Sequence, residues 1–234
     1  MSSSPSRLGA LVIVAGLALV VAGCSSAAPS PTNTPSARAS TTPSAPATDS
    51  KPALSDLVAT PDGLGYLSPG AAVPTVPSAT AILTFDPTKC VSAAEGIVPG
   101  GPGAGAWLPA YPKTLTYAGS GLPFDVGAVK AQTDAIDQIA IWSPDIKTAR
   151  HVGVGSTAAQ LTAAYGSSLT VDKADNSDVY VLPGTHSELL FEVAKAGAGL
   201  PVEETGTVVW MHIVPLGSAP LHYANTDASG PCAF

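Results

Sequence analysis

Between residues 25 and about 52 the chain is almost entirely Ser, Thr, Ala and Pro, interrupted by Asn33, Arg38, Asp49 and Lys51. No apolar pattern there lasts long enough to offset the ordering of a backbone, which costs roughly 1–2 kcal/mol per residue. The prolines favour extended polyproline conformation, so the stretch reads as a disordered, semi-stiff stalk, open to O-glycosylation. Folding is thereby confined to residues 53–234. That is length for one large or two small domains.

Ahead of the stalk stand one basic residue, Arg7, an apolar run over residues 8–21, and Leu19-Val20-Val21-Ala22-Gly23-Cys24. The run falls short of the roughly 20 apolar residues of a spanning helix. Small residues before the cysteine, and Ser25-Ser26-Ala27-Ala28 after it, read as a lipobox. Residues 1–23 are then a lipoprotein signal peptide and Cys24 the acylated (palmitate-bearing) residue, with 24–52 as linker. No twin-arginine pair is present, so export occurs unfolded. Each buried lipid methylene contributes about 0.8 kcal/mol, so two or three chains hold firmly. The expected location is the extracytoplasmic face of the cell membrane. The alternatives are an ordinary secretory signal or an uncleaved anchor, with Cys24 incidental.

The formal balance is −7, and losing Arg7 with the leader takes one positive charge from it. Such an acidic, thinly charged chain is a poor match for nucleic acid, which rewards clustered Lys and Arg, and for anionic lipid heads. After Cys24 the remaining cysteines are Cys90 and Cys232. In an oxidising compartment an isolated pair reads as a disulfide, with two free thiols as the alternative. Closing a loop of that length stabilises by roughly 5 kcal/mol as an entropic upper limit.

In the second half, Thr157 and Gln160 have capping-box spacing, Leu161, Ala164 and Tyr165 form one apolar stripe, and Gly166 ends a short helix. Strand-like runs follow at 177–182, 188–193 and 207–214. The first two are joined through Pro183-Gly184 and the last two through a Gly-rich connection. A helix followed by an antiparallel meander predicts an α+β unit with the helix over one face of the sheet. The first half reads as a diverged copy. Tyr117, Phe124-Asp125-Val126, Ile139-Ala140-Ile141-Trp142 and Pro144 repeat the order of Tyr180, Phe191-Glu192-Val193, Val208-Val209-Trp210 and Pro215. Residues 64–70 mirror the entry at 151–155, although Pro74 and Pro77 forbid a good following helix, and 90–112 form a Pro/Gly-rich insertion. The expected fold is α+β: antiparallel sheets with few short helices, in two tandem units at 53–147 and 148–234. Chance similarity between short meanders is the alternative.

Gly153-Val154-Gly155-Ser156-Thr157 through Tyr165-Gly166, then Tyr180, Leu190-Phe191-Glu192-Val193 and 208–213 together resemble the helix-plus-meander unit of outer-membrane assembly lipoproteins of the SmpA/OmlA type. Beta-lactamase inhibitory protein is built from tandem units of a similar kind. With its leader and stalk, the chain is also similar to actinobacterial surface lipoproteins. The resemblance implies a non-enzymatic, protein-binding scaffold and carries over no binding residues.

Chemistry-bearing motifs are incomplete. The glycines at 153 and 155 lack the lysine of a phosphate loop and the setting of a dinucleotide fold, and fit a tight turn into a capped helix. Asp172, Asp175 and Asp178 lie three apart and read as a solvated hairpin connection, without EF-hand spacing. His151, His186, His212 and His222 show no zinc-ligand spacing, and His212 is expected to face solvent from an alternating strand. Ser120 stands in no nucleophile elbow, and Glu203-Glu204 read as a charged loop. No cofactor or metal is expected. Trp142 and Trp210 sit near the ends of matched strands and read as core. Trp107, by contrast, stands with Leu108 and Tyr111 in an apolar, aromatic loop, the best candidate for a partner-binding surface. The function expected is binding of an envelope protein or cell-wall component. An envelope hydrolase or transferase with a site assembled from distant residues, or a small-molecule carrier, is the alternative.

Overall fold

The computed structural model describes residues 50–73, 81–101, 104–113, 121–127, 135–220, 222 and 224. Cys24, Cys232, Tyr117, Ser120 and the stalk up to residue 49 lie outside them.

The longest strands are rich in β-branched, aliphatic and aromatic residues and end at turns marked by Gly or Pro. β1 (Val58–Thr60), β2 (Gly63–Leu64), β3 (Leu83–Asp86), β4 (Ala106–Pro109), β5 (Phe124–Gly127), β6 (Gln138–Ile141) and β7 (Lys147–Thr148) precede the helix α1 (Ala158–Tyr165). β8 (Thr170–Lys173), β9 (Ser177–Pro183), β10 (Ser187–Ala194) and β11 (Val208–Pro215) follow it. Six strands make one antiparallel sheet in the order β5-β6-β11-β10-β9-β8. β1 pairs antiparallel with β2 and parallel with β7, while β3 and β4 make a separate two-stranded sheet. Mostly antiparallel sheets with one short helix among the described residues make this an α+β domain.

Register sorts the side chains. Phe124 lies opposite Ile141, Ile141 opposite Met211, Met211 opposite Phe191, and Phe191 opposite Tyr180, so these share one face of the large sheet. That face is the main core, closed by α1 through Leu161 and by Leu57, Ala59, Leu64 and Leu67. The rings of Tyr165 and Phe191 lie 6.1 Å apart. The helix starts where expected. Thr157 Oγ1 accepts from the Gln160 amide at 3.2 Å, and Gln160 Oε1 accepts from the Thr157 amide at 2.8 Å. Gly166, at φ +53°, ends it.

Asp62, in the β1–β2 turn, fastens that hairpin to the β9–β10 turn. Its Oδ1 accepts from the amides of Thr185, His186 and Ser187 at 2.8, 2.9 and 3.3 Å. A Cβ on Gly184 would lie 2.6 Å from the same oxygen, so the approach requires glycine there.

Two expectations change here. The boundary at 147/148 makes no break in the sheet, because β6 from one side of it pairs with β11 from the other. Strands assigned to two tandem units therefore share one sheet, and among the described residues only the second part carries an α-helix. The aspartates at 172, 175 and 178 are not one loop: Asp172 lies on β8 and Asp178 on β9, and only Asp175 is in the turn between them.

Candidate functional site

Trp107 and Leu108 are on β4, both half-buried. Trp107 faces Phe85 of β3 directly, with ring centroids 5.2 Å apart, and packs on the edge of the main core. Phe85 is 42% exposed, and Gly105 makes room for it: a Cβ there would lie 2.2 Å from the ring. Tyr111 is differently employed from the partner contact expected of it. Its hydroxyl donates to the Pro52 carbonyl at 2.9 Å, Lys51 Nζ lies 4.5 Å from its ring centroid, and its ring meets Phe124 edge-on. Burial raises its pKa. Tyr111 thus seats the start of the domain. Leu108, opposite Thr84, stays on the two-stranded sheet with Trp107.

The second face of the large sheet mixes buried apolar residues, Val179, Leu190 and Val214 among them, with buried polar groups. Asp125 and His212 lie on either side of Ala140 in register, 2% and 3% exposed. Desolvation pushes the Asp125 carboxyl up to about 7 and the His212 imidazole down to about 3. His212 therefore does not face solvent. β11 is a central strand covered on both faces, so alternation along it reports two interiors. Trp142 and Trp210 pack at 5.3 Å, as core residues should. The Trp210 indole N–H donates to Glu192, whose Oε1 accepts from the Ala224 amide at 3.0 Å. Glu204 is also buried, its carboxyl pKa raised by desolvation, whereas Glu203 beside it is exposed as expected.

Three residues that spacing could not connect meet at the rim of this face. Ser177 Oγ lies 2.9 Å from His222 Nδ1, and His222 Nε2 lies 2.9 Å from Asp172 Oδ2. In the neutral imidazole the serine hydroxyl donates to Nδ1 and Nε2–H donates to the carboxylate. The residue types are those of a hydrolytic triad, but the ring nitrogens are exchanged relative to the usual arrangement. Ser177 is wholly buried, while the Asp172 side chain is 53% exposed. A nucleophile needs substrate access, so this string serves to hold His222.

Cys90 is disulfide-bonded. Among the described residues no three His, Cys, Asp or Glu are placed to hold a metal ion, and no helix is long and apolar enough to cross a membrane. The turn at 153–156 is closed internally, the Gly153 amide donating to Ser156 Oγ at 3.0 Å. Set against protein-family models, curated proteins and solved structures, the chain matches none.

Proposed function

We propose that this chain is a lipid-anchored extracytoplasmic lipoprotein whose folded domain is a non-enzymatic binding module for an envelope protein or cell-wall component. The leader ending in Ala22-Gly23, with Cys24 directly after it, supports the location. The observation that carries the binding role is the Phe85–Trp107 pair on the two-stranded sheet. Val91 and Val98, in the segment joining its strands, are 43% and 60% exposed. Aromatic and aliphatic surface gathered on one segment is the composition of partner-binding patches.

Labelled palmitate should mark the wild type and not Cys24→Ala; an unlabelled wild type overturns the location. A photo-crosslinker at position 85 in living cells should give discrete adducts that Trp107→Ala removes. Adducts indifferent to that change overturn the surface.

A second reading, an envelope hydrolase or transferase, draws on the Ser177–His222–Asp172 string. Covalent labelling of Ser177 by a fluorophosphonate probe would favour it; the burial of Ser177 argues against it.

A further inference from the structure

From Cys90 to Gly101, in the segment joining β3 and β4, only Ser92 and Glu95 carry polar side chains, and Glu95 is the only charge between Cys90 and Pro112. Ala93, Ala94 and Pro99 stand exposed there with Val91 and Val98. The loop is nonetheless built. Ser92 and Ile97 exchange two main-chain hydrogen bonds, at 3.0 and 2.8 Å. The turn between them is closed by the Gly96 amide donating to the Ala93 carbonyl at 3.3 Å, with Gly96 at φ +69°. Ser92 Oγ accepts from the Glu95 amide at 3.3 Å. Ala94 and Glu95 are therefore the two central residues of a fixed turn and form its apex. At the base, the Gly105 amide donates to the Lys89 carbonyl at 2.8 Å, and Cys90 is disulfide-bonded. Gly105 is also the residue that makes room for the Phe85 ring, so the loop continues the Phe85–Trp107 surface. A loop held in shape by its own hydrogen bonds keeps its aliphatic side chains in water, where burial by a second molecule is favourable.

We infer that this loop is the part of the surface that enters the partner, and that the partner is a protein with an apolar recess and a lysine or arginine facing Glu95. The inference rests on the binding reading above and names the class of partner. Because the turn is already formed, little ordering remains to oppose insertion. A glycan would bring hydroxyls that these aliphatic side chains leave unpaired. A bilayer would have to take in Glu95 first, since it stands at the apex, and anionic head groups repel its carboxylate. A recess in a protein meets both requirements, with apolar walls for the alanines and valines and a cation for the acid.

The test uses the full chain in living cells with a photo-crosslinking residue at position 93. It should give discrete adducts with a protein. Glu95→Lys should lower their yield about tenfold, because like charge then faces like charge, while Glu95→Asp should keep most of it. Once mass spectrometry has placed the adduct, exchanging the facing lysine or arginine for glutamate should restore the yield with Glu95→Lys. Glu95 is exposed, so circular dichroism of Glu95→Lys should match wild type. Adducts indifferent to Glu95→Lys, or label carried into lipid or glycan, overturn the inference. Adducts at position 85 with none at 93 overturn the loop's role and leave the binding reading standing, whereas adducts at neither position overturn both. Should the residue at 93 disturb the turn, position 91 serves with the same readouts.

Discussion

Trp210 on β11 and Glu192 on β10 stand opposite each other in register, and the indole N–H donates to the carboxylate inside a buried layer. Trp142 packs against the same indole, yet its own N–H meets no hydrogen-bond partner among the described residues. The two tryptophans should therefore respond differently to one substitution. Trp210→Phe keeps a ring and deletes a donor to a buried carboxylate, and should lower unfolding free energy by about 1–3 kcal/mol beyond its loss of volume. Trp142→Phe should show the volume effect alone. Urea titrations of both variants check this, and equal costs would refute it.

Asp125 and His212 give the domain opposing responses to pH. The Asp125 pKa is raised to about 7 in the fold. Its stability contribution is fully present below the unfolded value near 4 and is lost as pH rises toward 7. Asp125→Asn should therefore stabilise at pH 8, by up to about 4 kcal/mol, and change little at pH 4. His212 is held down to about 3, so its support is present above about 6.5 and drains as pH falls from there. His212→Leu should flatten the acid limb of a stability profile. Chemical denaturation between pH 3.5 and 8 measures both, and profiles parallel to wild type would contradict both.

Asp62 should matter more than its surface position suggests. Its pKa is lowered, chiefly by the His186 amide with those of Ser187 and Thr185. A lowered acid pKa supports the fold above about 4 and loses that support as the carboxylate is protonated. Asp62→Ala removes the acceptor of three amides and should cost about 1–2 kcal/mol, whereas Asp62→Asn keeps one oxygen and should cost less. Amide hydrogen exchange at Thr185, His186 and Ser187 should accelerate in the alanine variant at neutral pH.

Gly105 is the weak point of the small sheet. At φ +95° an alanine is strained, and its Cβ would strike the Phe85 ring. Gly105→Ala should cost about 1–3 kcal/mol and alter the near-ultraviolet circular dichroism of the Phe85–Trp107 pair. An unchanged aromatic spectrum would argue against the contact.

Long, strongly patterned elements were legible from residues alone. The Thr157–Gln160 capping box and Gly166 bounded α1, and the runs around Pro183-Gly184 bounded β9 and β10, because local chemistry decides those ends. β8 was not legible, since Asp172 and Lys173 in four exposed residues give no apolar alternation. Nor was the two-residue β2, which exists through its pairing with β1 rather than through propensity. At the candidate surfaces, Trp107 stood out by its aromatic setting, but its partner Phe85 comes from a distant segment. Ser177, His222 and Asp172 offered no signal, because their proximity depends on how the C-terminal residues return to the sheet. Their separation in sequence hid them.

The parallel pairing of β1 with β7, Val58 to Lys147 and Ala59 to Thr148, has a kinetic consequence. Delivered N-terminus first, the chain presents Leu57, Ala59 and Leu64 long before the segments that will house them. Asp62 waits longer still, for amides 123 to 125 positions downstream. Distant closures must await their partners and are entropically slow. The earliest strand among the described residues is thus among the last to be seated against its parallel partner, and premature arrest would leave it sticky.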